Sequence, residues 1–128
     1  MKTTKKHFKL FVNHVNYWIN QFNLREYAIN FEHKDPKYQP NALAWIAVDW
    51  KGRISTIGLS LNLKNEKTSK KLISKAAFHE ACELMLADIN SMAGADASPS
   101  QKAETEQYVH SVIRRLEWVV WKPWYENL

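Results

Sequence analysis

The sequence contains a single cysteine, Cys82, and this scarcity excludes two common ways of stabilising a small protein. One cysteine cannot form an internal disulfide, and it cannot supply a cysteine-rich zinc knuckle. Such sparing use of cysteine is typical of a reducing compartment. Any bound metal must therefore be held by histidine and carboxylate side chains. The five candidate histidines are His7, His14, His33, His79 and His110.

Long apolar runs are missing as well, and none reaches the roughly 18 residues that a membrane-spanning helix needs. The N-terminus lacks the pattern of a secretory signal peptide. We therefore expect a cytoplasmic protein with no membrane partner. A hydrophobic fraction of 45% and a charged fraction of 24% are globular values, which predict one domain over residues 1–128.

The net charge of +5 raises the question of a nucleic-acid partner. The basic residues are spread along the chain, and no recognisable nucleic-acid-reading motif accompanies them. Nucleic acid is therefore an unlikely partner, and most of these charges are expected to form a solvated surface.

Hydrophobic periodicity divides the first half of the chain into one helix and three strands. Apolar residues recur at helical spacing over residues 5–22, with His7 and His14 off the apolar face and hence on the solvent side. Alternation with a period of two predicts strands over residues 26–32, 42–50 and 57–61. Ile54 is out of phase with the third strand, which must start after it or contain a bulge.

The second half of the chain is predicted to be helical. Thr68 or Ser69 caps a helix that runs to about residue 92 and ends at Gly94. A last helix begins with the capping pattern that starts at Ser98, and Pro123 stops it, leaving an aromatic tail over residues 122–128. The fold class is therefore α+β, with a three-stranded sheet and two antiparallel C-terminal helices.

The chemistry of the sequence is concentrated in the first of these two helices, at His79, Glu80 and Glu83. His79 and Glu83 are four residues apart, so both side chains can reach one point beside the helix. Glu80 lies about 100° around the helix, where the catalytic carboxylate of a His-Glu-x-x-His metalloprotease helix lies. Cys82 is either buried filler or an additional soft ligand, and filler is favoured.

The last helix repeats the four-residue spacing in reversed order, as Glu106 and His110. On an antiparallel neighbour, this order lets each imidazole face the carboxylate of the other helix. His110 is our choice for the third metal ligand. Glu106 is either an alternative ligand or an outer group that orients an imidazole.

These motifs resemble those of the small zincin-like metallopeptidases encoded by bacteriophages and prophages. The resemblance is carried by residues 77–86, which include His79, Glu80 and Glu83, and by residues 110–117, which begin at His110. It implies a minimal zincin fold, zinc held by His79, Glu83 and a residue of the helix that carries His110, and residence in the host bacterial cytoplasm. Glu83 stands where the familiar protease helix has its second histidine.

Two functions follow from this reading. The first is a zinc-dependent metallopeptidase that acts on a peptide or protein substrate, with Glu80 as the general base. The alternative is a catalytically weak or inactive zincin scaffold that binds a host protein. Exposed tryptophans such as Trp121 and Trp124 would then serve as anchors of the interface.

Overall fold

The computed structural model describes residues 2–37, 41–63 and 67–128. Helices pack against a three-stranded mixed sheet, so the predicted α+β fold class is confirmed. In chain order the elements are α1 (Lys5–Gln21), β1 (Ala28–His33), β2 (Ala44–Asp49), β3 (Ile54–Leu59), α2 (Lys70–Met85), α3 (Ala87–Gly94), α4 (Pro99–Leu116), a π-helical turn (Glu117–Trp121) and α5 (Lys122–Glu126). Within the described ranges, no helix combines the length and the apolar character needed to cross a bilayer.

The sheet has the strand order β1-β3-β2, which leaves β1 and β2 at its two edges. β2 and β3 are antiparallel neighbours, as expected of a hairpin, whereas β1 runs parallel to β3. β3 starts at Ile54, which pairs in register with Asp49, so neither a later start nor a bulge occurs. The side chain of Ile54 is 48% exposed because it lies on the sheet face opposite the buried Ile57.

The core lies between the other face of the sheet and the helices α1 and α2. Thr4 caps α1, and the His7 side chain completes the capping box by accepting a hydrogen bond from the Thr4 backbone N–H. The imidazole of His7 thus has a structural role. The main core cluster includes Phe11 and Val15 of α1, Ile57 and Leu59 of β3, and Ile73 and Ala77 of α2. This packing fixes α2 against the sheet and thereby positions the polar residues near its C-terminal end.

The solvent-side prediction for His14 is wrong. His14 is half-buried, and its Nδ1 lies 2.8 Å from Oγ of the fully buried Ser74 in α2. Burial lowers the pKa of His14 below its ordinary value. α2 packs beside the apolar face of α1 and covers His14. The periodicity of α1 alone cannot predict which neighbouring residues a second helix will cover.

The long helix predicted up to Gly94 is interrupted at Leu86, where α2 ends and α3 begins. After the break, the Asp88 carboxylate accepts hydrogen bonds from Arg53, at 2.8 Å, and from the Tyr27 hydroxyl, at 3.2 Å. These contacts tie α3 to the start of β3 and to the residue before β1. The direction of α3 thus depends on residues far away in the sequence, which helical periodicity does not register.

The prediction that Pro123 stops the last helix is also wrong, because the chain stays helical to Glu126. A proline ring clashes with the carbonyl four residues before it in a regular α-helix. Here a π-helical turn precedes the proline, and the Lys122 N–H donates to the Glu117 carbonyl, five residues back. The wider turn accommodates the proline without ending the helix.

The aromatic residues at the C-terminus pack inward instead of forming an exposed tail. Trp121 is 3% exposed, and its indole N–H donates to Oγ of Ser74 at 3.0 Å. Trp124 is half-buried and stacks on Tyr17 at 4.8 Å between ring centroids. The proposed anchoring role of Trp121 and Trp124 in a host-protein interface therefore lacks the exposure that it requires.

Two glycines provide a matched test of the packing. A Cβ at Gly58 would overlap the indole of Trp45 on the sheet face opposite Ile57, whereas one at Gly94 would meet only Cγ of Lys102, at 3.9 Å. We expect Gly58→Ala to lower the free energy of unfolding by about 1–3 kcal/mol, because Trp45 must move. Gly94→Ala should raise it by about 0.4–1 kcal/mol, because alanine favours helix and restricts the unfolded chain. Urea denaturation measures both, and equal midpoints for the two variants would contradict the packing of Trp45.

Candidate metal centre

Two side chains of the site come from consecutive turns of α2. Ser69 caps this helix through the Leu72 N–H, and the apolar residues around Phe78 bury its inner side. His79 and Glu83 lie at the margin of this buried surface, with side chains 31% and 25% exposed. Both are therefore half-buried, and each remains accessible from solvent.

The third side chain comes from α4. The capping box formed by Ser98 and Gln101, with Pro99 at the first turn, starts this helix as predicted. The fully buried Ile113 anchors α4 in the same aromatic cluster as Phe78. The contacts run in opposite directions along the two helices. His110 of α4 meets Glu83 of α2, and Glu117, seven residues after His110, meets His79, four residues before Glu83. The predicted antiparallel packing places His110 beside α2.

The predicted ligands converge on a common space. Nε2 of His110 lies 3.0 Å from Oε1 of Glu83, and Nε2 of His79 lies 3.6 Å from the same oxygen. One ligand atom from each residue can be chosen so that all three lie within 4.8 Å of one another. Ligands about 2.0–2.1 Å from a tetrahedral zinc ion are separated by about 3.3 Å. His79, Glu83 and His110 thus form a group that could hold a metal ion.

Glu117 is a member of the site that the sequence interpretation did not select. Its Oε2 lies 3.8 Å from Nδ1 of His79, on the side of the ring away from Glu83, and its side chain is only 11% exposed. A carboxylate on the second nitrogen of a metal-binding imidazole orients the ring and increases its basicity. The sequence did contain a signal that could have identified Glu117. It follows His110 by seven residues, or about two helical turns, so both side chains lie on the same face of a helix.

Glu106 does not join the group. It is exposed, and the imidazole of His79 faces Glu117 instead of Glu106. We expected each imidazole to face the carboxylate of the other helix. This is confirmed for His110, which faces Glu83, and wrong for His79, which does not face Glu106. The spacing of the motifs fixes the face of each helix, but it does not fix how far the two helices slide along each other.

Glu80 points into the protein instead of toward solvent. It is 6% exposed, and its Oε2 has no hydrogen-bond partner in the described structure. Burial and, after it, the negative charge of Glu83 raise the pKa of Glu80 to about 8, although the nearby His79 opposes the shift. A buried carboxyl oxygen without a partner is costly for stability. Such a group is a candidate for a functional role.

The charges around the imidazoles favour a positive species at the centre. Burial opposes the charged form of His79, but its interactions with Glu117 and Glu83 outweigh burial and raise its pKa to about 10. Burial likewise opposes ionisation of Glu83, yet His79 and His110 hold its pKa below the ordinary value. Glu83 and Glu117 thus place negative charge on both sides of the His79 ring, and positive charge is needed to balance it. A proton supplies it in the absence of metal, and a cation could replace that proton.

Cys82 lies outside this group and behaves as buried filler. It is fully buried in the aromatic cluster with Phe78 and Ile113. Burial raises the pKa of the Cys82 thiol, which disfavours the thiolate that a soft metal ligand requires. The interpretation of Cys82 as a small apolar residue is the one that the packing supports.

No protein-family model, curated protein or solved structure matches the chain. The chemistry of the site is therefore inferred from the geometry of its own residues.

Proposed function

We propose that this protein is a zinc-dependent metallopeptidase. The observation that carries the proposal is the convergence of His79, Glu83 and His110 next to the buried carboxyl group of Glu80, one oxygen of which has no hydrogen-bond partner in the described structure. Three protein ligands with a fourth position for water or substrate are typical of catalytic zinc sites, whereas structural sites are closed by four. The resemblance of the motifs to those of phage-encoded zincin-like metallopeptidases also supports this proposal.

The donor set supports zinc over magnesium and calcium. Two imidazoles and one carboxylate suit zinc, while magnesium and calcium prefer oxygen ligands alone. Glu117 adds the outer carboxylate that histidine ligands of zinc usually have. The residues present in the chain therefore fit a zinc ion held by His79, Glu83 and His110.

When bound, zinc would supply Lewis acidity that polarises a peptide carbonyl and makes water a better nucleophile. The positive charge of the ion would lower the pKa of the Glu80 carboxyl below the value of about 8 that it has without metal. In its ionised form, Glu80 would accept the proton of the attacking water at the carboxyl oxygen that has no partner in the described structure, and would later deliver it to the leaving amine. Glu83 places a negative charge where a histidine would be neutral, which reduces the Lewis acidity of the ion. We therefore expect metal binding with slow turnover.

The edge strand β2 offers a way to hold the substrate. Ile46 and Val48 of β2 line a cleft together with Glu83 and His110. Among the described strands, β2 pairs only with β3, so its other side carries backbone groups that no described strand pairs. An extended peptide that paired with this edge would run beside the metal group.

The proposal is tested by metal content and cleavage together. Protein purified without added metal should carry close to one zinc per chain, as measured by plasma mass spectrometry. The same preparation should cleave members of a mixed peptide library, and chelation should stop the cleavage. A protein that takes up no zinc in an equimolar titration would overturn the proposal.

Glu117 should tune the site without being a ligand. We expect Glu117→Gln to weaken zinc binding by about 10–100-fold, because Nδ1 of His79 loses a charged partner. Competition with a chromogenic chelator gives the two dissociation constants. Glu104→Gln is the matched control, because Glu104 is an exposed residue of α4 that bonds Tyr108 instead of the site. Equal affinities in the Glu117 variant and the wild type would contradict the assigned contact.

A further inference from the structure

A cleft of about 310 Å³ opens directly beside the metal group, and Glu83 and His110 form part of its wall. Its lining combines apolar and polar side chains. The apolar ones come from β2, α3 and α4, and the polar ones besides Glu83 and His110 come from α3 and α4. The apolar residues are Ile46, Val48, Ala87 and Val109, and the further polar residues are Asn90, Ser91 and Glu106.

Glu106 is the one carboxylate of this cleft whose charge is not balanced within the described structure. Glu83 contacts both His79 and His110. Glu106 makes neither a hydrogen bond nor an ion pair with any described residue, although Lys102 lies one turn before it on α4. A negative charge without a partner thus stands in the lining of a cleft whose other carboxylate, Glu83, is paired with two imidazoles.

We propose that this cleft binds the side chain of a lysine or arginine in the peptide substrate, close to the scissile bond. The aliphatic stem of such a side chain matches Ile46, Val48 and Val109, and its cationic end matches Glu106. An acidic side chain would be repelled by Glu106, and a purely apolar one would leave the carboxylate without a partner. The proposal rests on the proposed function for the position of the scissile bond, and it adds the class of substrate.

The test measures binding and cleavage separately. Otherwise identical peptides carry lysine, norleucine or glutamate at each position flanking the bond that the library experiment identifies. If the library shows no cleavage, the same substitutions are scanned along one extended peptide. Binding to the zinc-loaded Glu80→Gln protein is followed by fluorescence polarisation, and cleavage by the wild type is followed by mass spectrometry. We expect lysine to be preferred over norleucine by about twofold to fivefold at one position, the range for an ion pair with an exposed carboxylate.

Substitution of Glu106 assigns the preference to this cleft. Glu106→Gln should reduce the preference for lysine to near unity, and Glu106→Lys should reverse it in favour of glutamate. Glu104→Lys, which makes the same charge change two residues earlier on α4, should leave the preference intact. Both positions are exposed, so thermal unfolding should show folded proteins.

The outcomes separate this inference from the peptidase proposal. Cleavage with no difference between lysine and norleucine, or a lysine preference that survives Glu106→Lys, would overturn the inference and leave the peptidase. A lysine preference in binding that depends on Glu106, found without any cleavage, would support the cleft and overturn the peptidase. Absence of binding for every peptide in the scan would overturn the cleft as a substrate site.

Discussion

Replacement of His110 with alanine is expected to abolish zinc retention, and replacement of His79 should do the same. Each variant removes one of the three donors, and two remaining donors hold an ion poorly. The loss of affinity should exceed the roughly 10–100-fold cost of losing an outer partner. Zinc per chain after purification is the measurement, and a titration of the metal-free variants gives the residual affinity.

Thermal unfolding provides an independent reading of the same prediction. A ligand at 100 times its dissociation constant stabilises the folded state by about 2.7 kcal/mol. The wild type should therefore gain thermal stability when zinc is added, and the His110→Ala variant should gain almost none. His110 is 46% exposed in its side chain, so its removal should affect the metal-free fold little.

Glu106→Gln is the discriminating control for this experiment, because Glu106 was the alternative ligand on sequence grounds. It lies outside the ligand group, and we expect the variant to keep its zinc. Zinc retained at full stoichiometry in both histidine variants would eliminate the site. Zinc lost in Glu106→Gln would mean that the two helices are offset from the arrangement described above.

The parts of the fold and site that the sequence predicted are those that local spacing determines. Four-residue spacing puts His79 and Glu83 on one face of a helix whatever the helix packs against. Reversed order in the last helix then selected His110, because antiparallel packing follows from a short connection. Alternation of apolar residues similarly located the three strands, although their ends shifted by a few residues.

The parts that the sequence did not predict depend on contacts between distant segments. The break at Leu86 accompanies the pairing of Asp88 with Arg53, 35 residues away. The π-helical turn before Pro123 carries no mark in local propensity, and the sequence therefore placed the end of the helix too early. Choosing Glu117 over Glu106 as the partner of His79 required the offset between α2 and α4, which packing at Phe78 and Ile113 determines.

Replacement of Glu80 with glutamine is expected to reduce peptide cleavage by about 10²–10⁴-fold, the usual contribution of a general base. Glutamine keeps the shape of the side chain but cannot accept the proton. Zinc content should stay at the wild-type value, since Glu80 is not one of the three ligands. The loss should fall on kcat, because proton transfer occurs in the transition state and contributes little to substrate binding.

The same variant should be more stable than the wild type in the absence of metal, and this second effect distinguishes a catalytic carboxylate from a structural one. Glu80 is 6% exposed, and one of its oxygens has no partner in the described structure. At neutral pH Glu80 is ionised in the unfolded chain, whereas its pKa of about 8 in the fold keeps it mostly protonated, so folding must neutralise a charge. Glutamine carries no charge in either state, and we expect a gain of at least about 1 kcal/mol in the free energy of unfolding, measured with urea at neutral pH. Retention of a destabilising carboxyl group next to the metal ligands is expected where activity requires a group that lowers stability. Loss of stability in Glu80→Gln, together with unchanged cleavage, would instead make Glu80 a structural residue and would refute its role as the base.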